Sequence, residues 1–235
     1  MMSKLPKAPL VEVIFEARWT PATQSGEDVG LLTSDIYPFI KDDFPNRKTV
    51  QPLPLPGLAN LRFESKTKYP LVQVGNGVLT LNTIDEFYEW EKFEVTAISL
   101  IENLAKLSPI ESLKDFNLSL HFLDVITFEF DKIPIQKYFS ENLNMNFDAP
   151  FLDNEKIKQI FIALDVSYDI GTMTINIGKG KNLKGEDGIL IQTHLKGNIL
   201  NPKIPDIRSW LTRGHELCSN SFKNMTKGRL YESFK

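Results

Sequence analysis

A long run of alternating apolar side chains in the second half of the chain constrains the fold more than any other feature. The apolar residues occupy the even positions of one stretch: Phe116, Leu118, Leu120, Phe122, Ile126, Phe128 and Phe130. In a β-strand, side chains two positions apart point to the same face of the sheet, so this stretch predicts a long strand with one buried face. Such a strand must be part of a sheet that covers that face.

A second alternation predicts a strand near the start of the chain, bounded by Pro9 and Pro21. Its apolar face would be formed by Val11, Val13, Phe15, Ala17 and Trp19. Further strands are predicted at residues 61–63, 71–74, 78–81, 160–168, 173–177 and 189–195. Asn76-Gly77, between two of these strands, predicts a tight hairpin.

Helical spacing of apolar residues predicts four helices. They cover residues 27–44 with a kink at Pro38, 87–107 with an end at Ser108-Pro109, 135–142, and a long C-terminal helix that starts near Pro205 and stops at Gly228. The proline-rich residues 45–56 predict an extended surface strap. Residues 178–188 predict a polar loop.

The order of these elements is the same in both halves of the chain: strand, helix, several strands, long helix. The sequence therefore predicts an α+β fold in which this unit is internally duplicated, over residues 10–108 and 116–235, within one integrated unit of residues 1–235. The antiparallel sheet would carry two long helices on one face, like the saddle of the TATA-box-binding protein. A generic α+β sandwich is the alternative, because no residue-level repeat accompanies the pattern.

Composition argues against several classes of protein. The net charge of −3 argues against a dedicated duplex-DNA binder, which carries an excess of basic residues. Cys218 is the single cysteine, so no intramolecular disulfide can form. No apolar run approaches the roughly 18 residues of a membrane span, and no signal-type core is found near the start. We therefore expect a cytoplasmic protein without a membrane partner, and the sequence leaves its oligomeric state open.

Catalytic groupings are missing from the sequence, so no catalytic residue, metal ligand or cofactor is predicted and an enzymatic activity is not favoured. The three histidines lack a second histidine at metal-ligand spacing. His215 and Cys218 share one helix, but Cys218 falls on its apolar stripe, which predicts a core thiol. Glu64-Ser65-Lys66 matches the carboxylate-x-lysine of one nuclease class only loosely, since that chemistry needs a second metal-binding carboxylate.

Asp124 is the most informative polar residue because it interrupts the apolar face between Phe122 and Ile126. Burying a carboxylate without partners is costly. Two interpretations remain open: a bulge or hydrogen-bonded structural aspartate, and a carboxylate that faces a groove. His121 lies on the opposite face by parity, so the two side chains would pair only across a bulge.

Basic residues complete the candidate binding surface, which comprises His121, Asp124, Lys179, Lys181, Lys184, His215 and Glu216. The three lysines lie in the glycine-rich residues 178–185, where backbone amides could approach an anion. A solvated hairpin connection is the alternative, because this segment opens no helix. The C-terminal helix is mildly basic, which is compatible with a solvated outer face or a partner-binding surface.

Five segments of the sequence have a recognisable pattern: residues 5–16 (LPKAPLVEVIFE), 43–45 (DFP), 71–82 (LVQVGNGVLTLN) leading towards Trp90 and Phe93, 214–222 (GHELCSNSF) and 230–234 (LYESF). Together they resemble a sporadically distributed, uncharacterised prokaryotic protein family of similar length. The central strand of the family often reads LRYIN, whereas residues 120–124 here read LHFLD, so His121 and Asp124 replace the arginine and asparagine. The resemblance implies mobile-element, toxin–antitoxin or phage-defence neighbourhoods, and it supplies no established activity.

These observations favour a non-enzymatic binding or accessory protein, regulatory or antitoxin-like, with a protein partner encoded nearby. The second hypothesis is nucleic-acid binding on the concave face of a saddle-like sheet, where Trp19 or Phe161 could stack on bases. The third is a metal-dependent nuclease or hydrolase that uses Glu64 and Asp124.

Overall fold

A computed structural model describes residues 5–20, 35–50, 57–107, 113–145, 159–226 and 228–235. Within these ranges the chain forms one antiparallel sheet of nine strands, which confirms the predicted α+β class. The strands are β1 (Leu10–Thr20), β2 (Asn46–Thr49), β3 (Ala59–Ser65), β4 (Lys68–Gly75), β5 (Val78–Ile84), β6 (Lys114–Thr127), β7 (Phe161–Tyr168), β8 (Gly171–Lys181) and β9 (Asp187–Asn198). The helices are α1 (Tyr37–Ile40), α2 (Trp90–Leu107), α3 (Ile135–Asn142), α4 (Ile204–Met225) and α5 (Gly228–Ser233).

The two alternating stretches that stand out in the sequence become neighbours at the middle of the sheet. The strand order is β2-β3-β4-β5-β1-β6-β9-β8-β7, so β1 pairs with β6 and places Phe15 opposite Leu120. Helix α4 packs across β6 and β9 and also contacts α2. Gly214 lets α4 approach the sheet, since a Cβ atom there would lie 3.0 Å from the Leu195 side chain. We call this face of the sheet the helix-covered face, and the opposite one the far face.

A β-bulge interrupts the pairing of β1 with β6 at one end. Glu12 pairs with Leu123 and Leu10 pairs with Asp124, so Val11 is the extra residue on β1. A simple alternation along β1 predicts that Val11 is on the buried face. Because of the bulge, Leu10 is buried there instead. The chain before the bulge stays attached to β6 because the Val125 amide donates a 2.7 Å hydrogen bond to the Pro9 carbonyl.

The first predicted helix and the strap after it differ from expectation. Within the described residues Asp35 is helical, the helix is interrupted at Ile36, and α1 covers Tyr37–Ile40 and ends before Phe44; residues 27–34 of the prediction lie outside the described ranges. Part of the predicted strap, Asn46–Thr49, forms the edge strand β2, whose register on β3 is continuous. Residues 51–56 of the strap lie outside the described ranges.

The predicted polar loop at residues 178–188 is mostly strand. Strand β8 continues to Lys181 and β9 begins at Asp187, so the loop covers only residues 182–186. Gly180 pairs with Gly188, and Lys179 forms a 3.0 Å ion pair with Asp187 across the two strands. Cross-strand pairing therefore overrides the turn-like composition of this segment. Gly228 likewise begins α5, although the sequence predicts only a helix stop there.

In the part of the chain that the structure describes, no helix is both long and apolar enough to cross a membrane.

Candidate ligand-binding site

A cavity of about 120 Å³ lies between the helix-covered face and the segments near the two ends of the described chain. Asp124 and Thr193, on adjacent strands β6 and β9, supply its polar floor. The remaining lining residues are mostly aromatic or aliphatic: Leu5, Ala8, Pro9, Leu10, Tyr88, Trp90, Phe122, His215, Cys218, Ser219, Phe222 and Tyr231. We call this space the Asp124 cavity.

Contacts of the segment before β1 place the cavity here. Residues 5–9 precede β1 and lie against the end of β6, where the Val125 amide binds the Pro9 carbonyl. The Lys7 amide donates a 2.9 Å hydrogen bond to the Phe234 carbonyl, which joins this segment to the chain just after α5. Tyr231 of α5 then completes the wall. The sequence predicts neither this arrangement nor the shared cavity.

The Asp124 carboxylate is the central polar group of the site. The side chain is only 7% exposed, and it has no hydrogen-bond or ion-pair partner among the described residues. Burial, followed by the nearby Asp85 carboxylate, raises the pKa of Asp124 to about 7. Of the two interpretations left open by the sequence, the hydrogen-bonded structural aspartate is not found, and the bulge lies on β1 opposite Asp124.

Two hydroxyl groups in the cavity wall also lack hydrogen-bond partners among the described residues. They are the Tyr88 phenol, between the sheet and α2, and the Thr193 hydroxyl on β9. The Tyr88 ring packs edge-on against Phe122 at 6.2 Å between centroids. Burial and then the Asp124 charge raise the pKa of Tyr88 well above its ordinary value, so the phenol keeps its proton. Buried polar atoms are normally paired, so these two hydroxyls and the Asp124 carboxylate are the groups through which the cavity could bind a polar ligand.

His215 and Cys218 line the same cavity but are poorly suited to acid–base or nucleophilic catalysis. The His215 ring stacks on Trp90, with centroids 3.8 Å apart and planes 7° apart. Burial lowers the pKa of His215 to about 4, an effect that Glu91 partly opposes. Burial raises the pKa of Cys218 to about 12, so its thiol stays protonated at neutral pH, as the sequence predicts for a core cysteine.

His121 lies on the far face, as parity predicts, and does not reach Asp124. It pairs in register with His194 across β6 and β9, and the two rings stack with centroids 3.7 Å apart. Burial and then His194 lower the pKa of His121 to about 4, so the pair is uncharged at neutral pH. Within the described residues, no group of three or more histidine, cysteine, aspartate or glutamate side chains could hold a metal ion.

The other candidate residues do not line the Asp124 cavity. Lys179 and Lys181 lie on β8 and both face Asp187, at 3.0 and 3.9 Å between charged atoms. The Lys184 amide donates a hydrogen bond to the Asn182 side chain in the adjoining loop. Glu216 is exposed on α4. Of the candidate residues, Asp124 and His215 line the Asp124 cavity, and Lys184 lines a neighbouring cavity that shares Ala8, Pro9 and Leu10 with it.

Glu64 is also separated from Asp124, although the nuclease hypothesis combines the two. Glu64 is on β3, where the Lys48 ammonium binds its carboxylate at 2.7 Å. Three strands lie between β3 and β6, which separates them by about 19 Å at the usual strand spacing. Two carboxylates that far apart cannot hold the same metal ion.

No protein-family model, curated protein or solved structure matches this chain. The function must therefore be argued from the Asp124 cavity and the surfaces of this chain.

Two of the residues that define the cavity were missed from the sequence. Thr193 interrupts an apolar alternation formed by Ile189, Ile191 and Leu195, as Asp124 interrupts that of β6. A polar residue within an apolar alternation is therefore the sequence feature that could have identified Thr193. Tyr88 carries no such signal, because it lies between a 3-10 turn and α2 and belongs to no periodic pattern.

Proposed function

We propose that this chain is a non-enzymatic binding protein and that the Asp124 cavity is its ligand-binding site. The observation that carries the proposal is the unpaired Asp124 carboxylate, which shares the cavity with the unpaired hydroxyls of Tyr88 and Thr193. Leaving such groups buried and unpaired costs about 1–3 kcal/mol each. A ligand that supplies hydrogen bonds to them recovers that cost.

The protonation states of the cavity support binding over turnover. A nucleophile needs an adjacent base, but the Cys218 thiol holds its proton and the His215 ring is stacked face-on against Trp90. Asp124 titrates near neutrality, yet the other polar side chains named above are hydroxyls that resist ionisation at pH 7. This combination can orient and hold a ligand without activating it.

Three of the segments that carry the family resemblance also support this location. Residues 5–16, 214–222 and 230–234 contribute side chains to the cavity, and so does the central-strand segment 120–124, in which this chain departs from the family pattern. We infer that the resemblance reflects a shared cavity wall. The replacement of the family asparagine by Asp124 then places a titratable carboxylate in it.

Ligand stabilisation tests this proposal directly. We expect at least one of ethylammonium, tetramethylammonium, acetamide and acetate to raise the Tm, since saturating ligand at about 100 times Kd adds roughly 2.7 kcal/mol. The cavity-filling variant Ala8→Phe should abolish the shift, whereas Ala163→Phe, on an exposed position of β7, should retain it. Thermal unfolding monitored by fluorescence measures both.

Two outcomes would contradict the proposal. One is that no probe changes the Tm of the wild-type protein. The other is a shift of equal size in Ala8→Phe, which would place binding elsewhere.

A second candidate function is capture of a protein partner at the β7 edge of the sheet. Among the described strands β7 pairs only with β8, and its apolar side chains Phe161, Leu164 and Val166 are 70%, 45% and 39% exposed. The other edge, β2, is short and carries Arg47 and Lys48, which discourage strand addition. We infer that β7 receives an extended strand with alternating apolar residues. This supports the accessory, antitoxin-like role that the resemblance implies.

The neighbouring gene provides the test of the β7 edge. We expect the product of that gene to co-purify with the wild-type protein, and Leu164→Lys to reduce the complex at least tenfold by placing a charge in a packed strand interface. Val95→Lys is the matched control, because it also replaces an exposed apolar side chain by lysine but lies on α2; this variant should keep the complex intact. Pull-down of the protein with the product of the neighbouring gene, followed by light scattering of the complex, measures the effect of both variants. This candidate would be overturned if the wild-type protein formed a homodimer that Leu164→Lys dissociates. It would also be overturned if Leu164→Lys left the complex with the partner unchanged.

Nucleic-acid binding on the far face is the alternative that the sequence leaves open, and it depends on the finer part of the predicted fold. We infer an internal duplication because the strand orders β1-β5-β4-β3 and β6-β9-β8-β7 correspond, which is compatible with a saddle that carries two long helices on one face. Charge weighs against nucleic acid there. The Arg18 guanidinium binds Glu16 at 2.6 Å, so this cation is not free for phosphates.

A further inference from the structure

The charge of the Asp124 cavity selects the sign of its ligand. Among the described residues, no lysine or arginine lines the cavity, whereas the Asp124 carboxylate does. Asp85 acts electrostatically on Asp124, and Glu91 acts on Tyr88 and His215, both with negative charge. A cation therefore gains favourable electrostatic energy in this cavity, whereas an anion is repelled.

The walls of the cavity suit an organic cation. Tyr88, Trp90, Phe122, Phe222 and Tyr231 all line it, and aromatic rings attract ammonium groups through their electron-rich faces. A bare metal ion gains less here, because it needs several oxygen ligands and the described residues offer no cluster of them.

The unpaired polar groups define the number of donors that the ligand must carry. The Asp124 carboxylate accepts hydrogen bonds, and the oxygens of Thr193 and Tyr88 can each accept one. A primary ammonium group has three N–H donors, one for each of these acceptors. A quaternary ammonium ion would satisfy the aromatic walls but leave all three groups unpaired.

Size limits the rest of the ligand. The cavity volume of about 120 Å³ is somewhat smaller than an apolar cavity of about 150 Å³ that admits benzene. The ligand can therefore place about five non-hydrogen atoms inside.

From the charge, walls, acceptors and volume, we propose that the Asp124 cavity binds a small primary ammonium ion of an alkylamine, or the terminal aminoalkyl group of a larger molecule. The inference rests on the proposed binding function of the same cavity. Asp124 holds the ammonium group by a charge-assisted hydrogen bond, Thr193 and Tyr88 accept its other two N–H groups, and the aromatic side chains surround the alkyl part.

Proton linkage follows from this assignment. The ammonium ion binds the ionised form of Asp124, whose pKa is about 7 in the free protein. The other groups that face the cavity do not titrate near pH 7, because the pKa of His215 is about 4, that of Cys218 is about 12 and that of Tyr88 is raised. Affinity should therefore be constant between about pH 8 and pH 10, where Asp124 is ionised and the amine is protonated, and fall about tenfold per pH unit below pH 6.

Calorimetric titration with ethylammonium at pH 8 tests the inference. Asp124→Asn should weaken binding more than tenfold, and Thr193→Val and Tyr88→Phe by about three- to tenfold each, because each removes one acceptor and keeps the shape. Asp165→Asn, an exposed change on β7, should bind like the wild type. Tetramethylammonium should bind at least tenfold more weakly than ethylammonium.

The possible failures separate this inference from the binding function on which it rests. If acetamide or acetate binds in the cavity and ethylammonium does not, the ammonium assignment is wrong and the cavity remains a binding site. Equal affinity of ethylammonium for the wild type and Asp124→Asn also overturns the assignment. If none of the probes binds, both the assignment and the proposed function fail.

Discussion

Asp124→Asn is expected to raise the free energy of unfolding, by an amount that grows as the pH rises from about 4 to about 7. The pKa of Asp124 increases from 3.8 to about 7 on folding, mainly because burial penalises the charged form. One pKa unit corresponds to about 1.4 kcal/mol, so the carboxylate costs on the order of 4 kcal/mol above pH 7. Asparagine keeps the shape of the side chain and removes this cost.

The sign of the pH dependence follows from the raised pKa. Below pH 4 aspartate is protonated in both folded and unfolded states, so the two proteins should differ little. Between pH 4 and 7 only the unfolded state loses its proton, and the wild type loses stability relative to the variant. Above pH 7 both states are ionised and the difference is constant.

Urea unfolding of both proteins at pH 4 and pH 8 measures the difference directly. Asp165→Asn serves as the control, because Asp165 is exposed and accepts a hydrogen bond from Thr174 at 2.6 Å; its effect should stay below about 1 kcal/mol. A loss of stability in Asp124→Asn at pH 8 would show instead that the carboxylate has a favourable partner, and it would remove the argument for an unpaired charge in the cavity.

Gly197→Ala is expected to destabilise the protein by about 3 kcal/mol through the contact of α4 with the sheet. The Trp210 indole lies over Gly197 and donates a 2.8 Å hydrogen bond to the Ile170 carbonyl. A Cβ atom at position 197 would overlap the Ile170 carbonyl oxygen and the Trp210 nitrogen. Overpacking costs about 1–3 kcal/mol, and loss of the hydrogen bond adds about 1 kcal/mol.

The same variant should also weaken ligand binding, because α4 carries His215 and Cys218 of the cavity wall. Gly178→Ala is the matched control: a Cβ atom there meets only the Ile160 carbonyl at 3.4 Å and the Phe161 ring, and alanine is favoured over glycine in a strand. Urea unfolding and ligand titration measure both effects. Equal stability of the two variants would show that Trp210 does not fix α4 through Gly197.

The regular parts of the fold were predictable because local pattern and tertiary structure agree there. Residues 135–142 form the predicted helix, and Asn76-Gly77 forms the predicted hairpin turn between β4 and β5. The alternation in β1 and β6 identified both central strands, since each has one face packed into the core.

Prediction failed where long-range pairing decides the outcome. Residues 178–181 read as a loop because of their glycines, yet pairing with β9 holds them in β8. The apolar alternation of β7 predicts a half-buried strand, but Leu164 and Val166 remain exposed because β7 is at the edge of the sheet. An apolar alternation indicates that one face of a strand is apolar and the other polar. It does not indicate which other element, if any, packs on the apolar face.

The candidate site was predictable only through its central anomaly. Asp124 stands out because a carboxylate interrupts an apolar face, and physical reasoning about burial is enough to single it out. Its companions come from distant parts of the chain, and residues 5–9, which precede β1, lie against the end of β6 beside it. A single sequence does not show which distant segments meet.

The hydrogen bond between the Lys7 amide and the Phe234 carbonyl has a consequence for how the cavity is assembled. The nine strands can pair before this contact forms, but the cavity stays unwalled until residues near both ends of the described chain have docked. Bringing together residues so far apart in the chain has an entropic cost, so we expect this contact to form late in folding. The protein should therefore become able to bind ligand only after the sheet has formed. A bound ligand would then stabilise the contact between the two end segments.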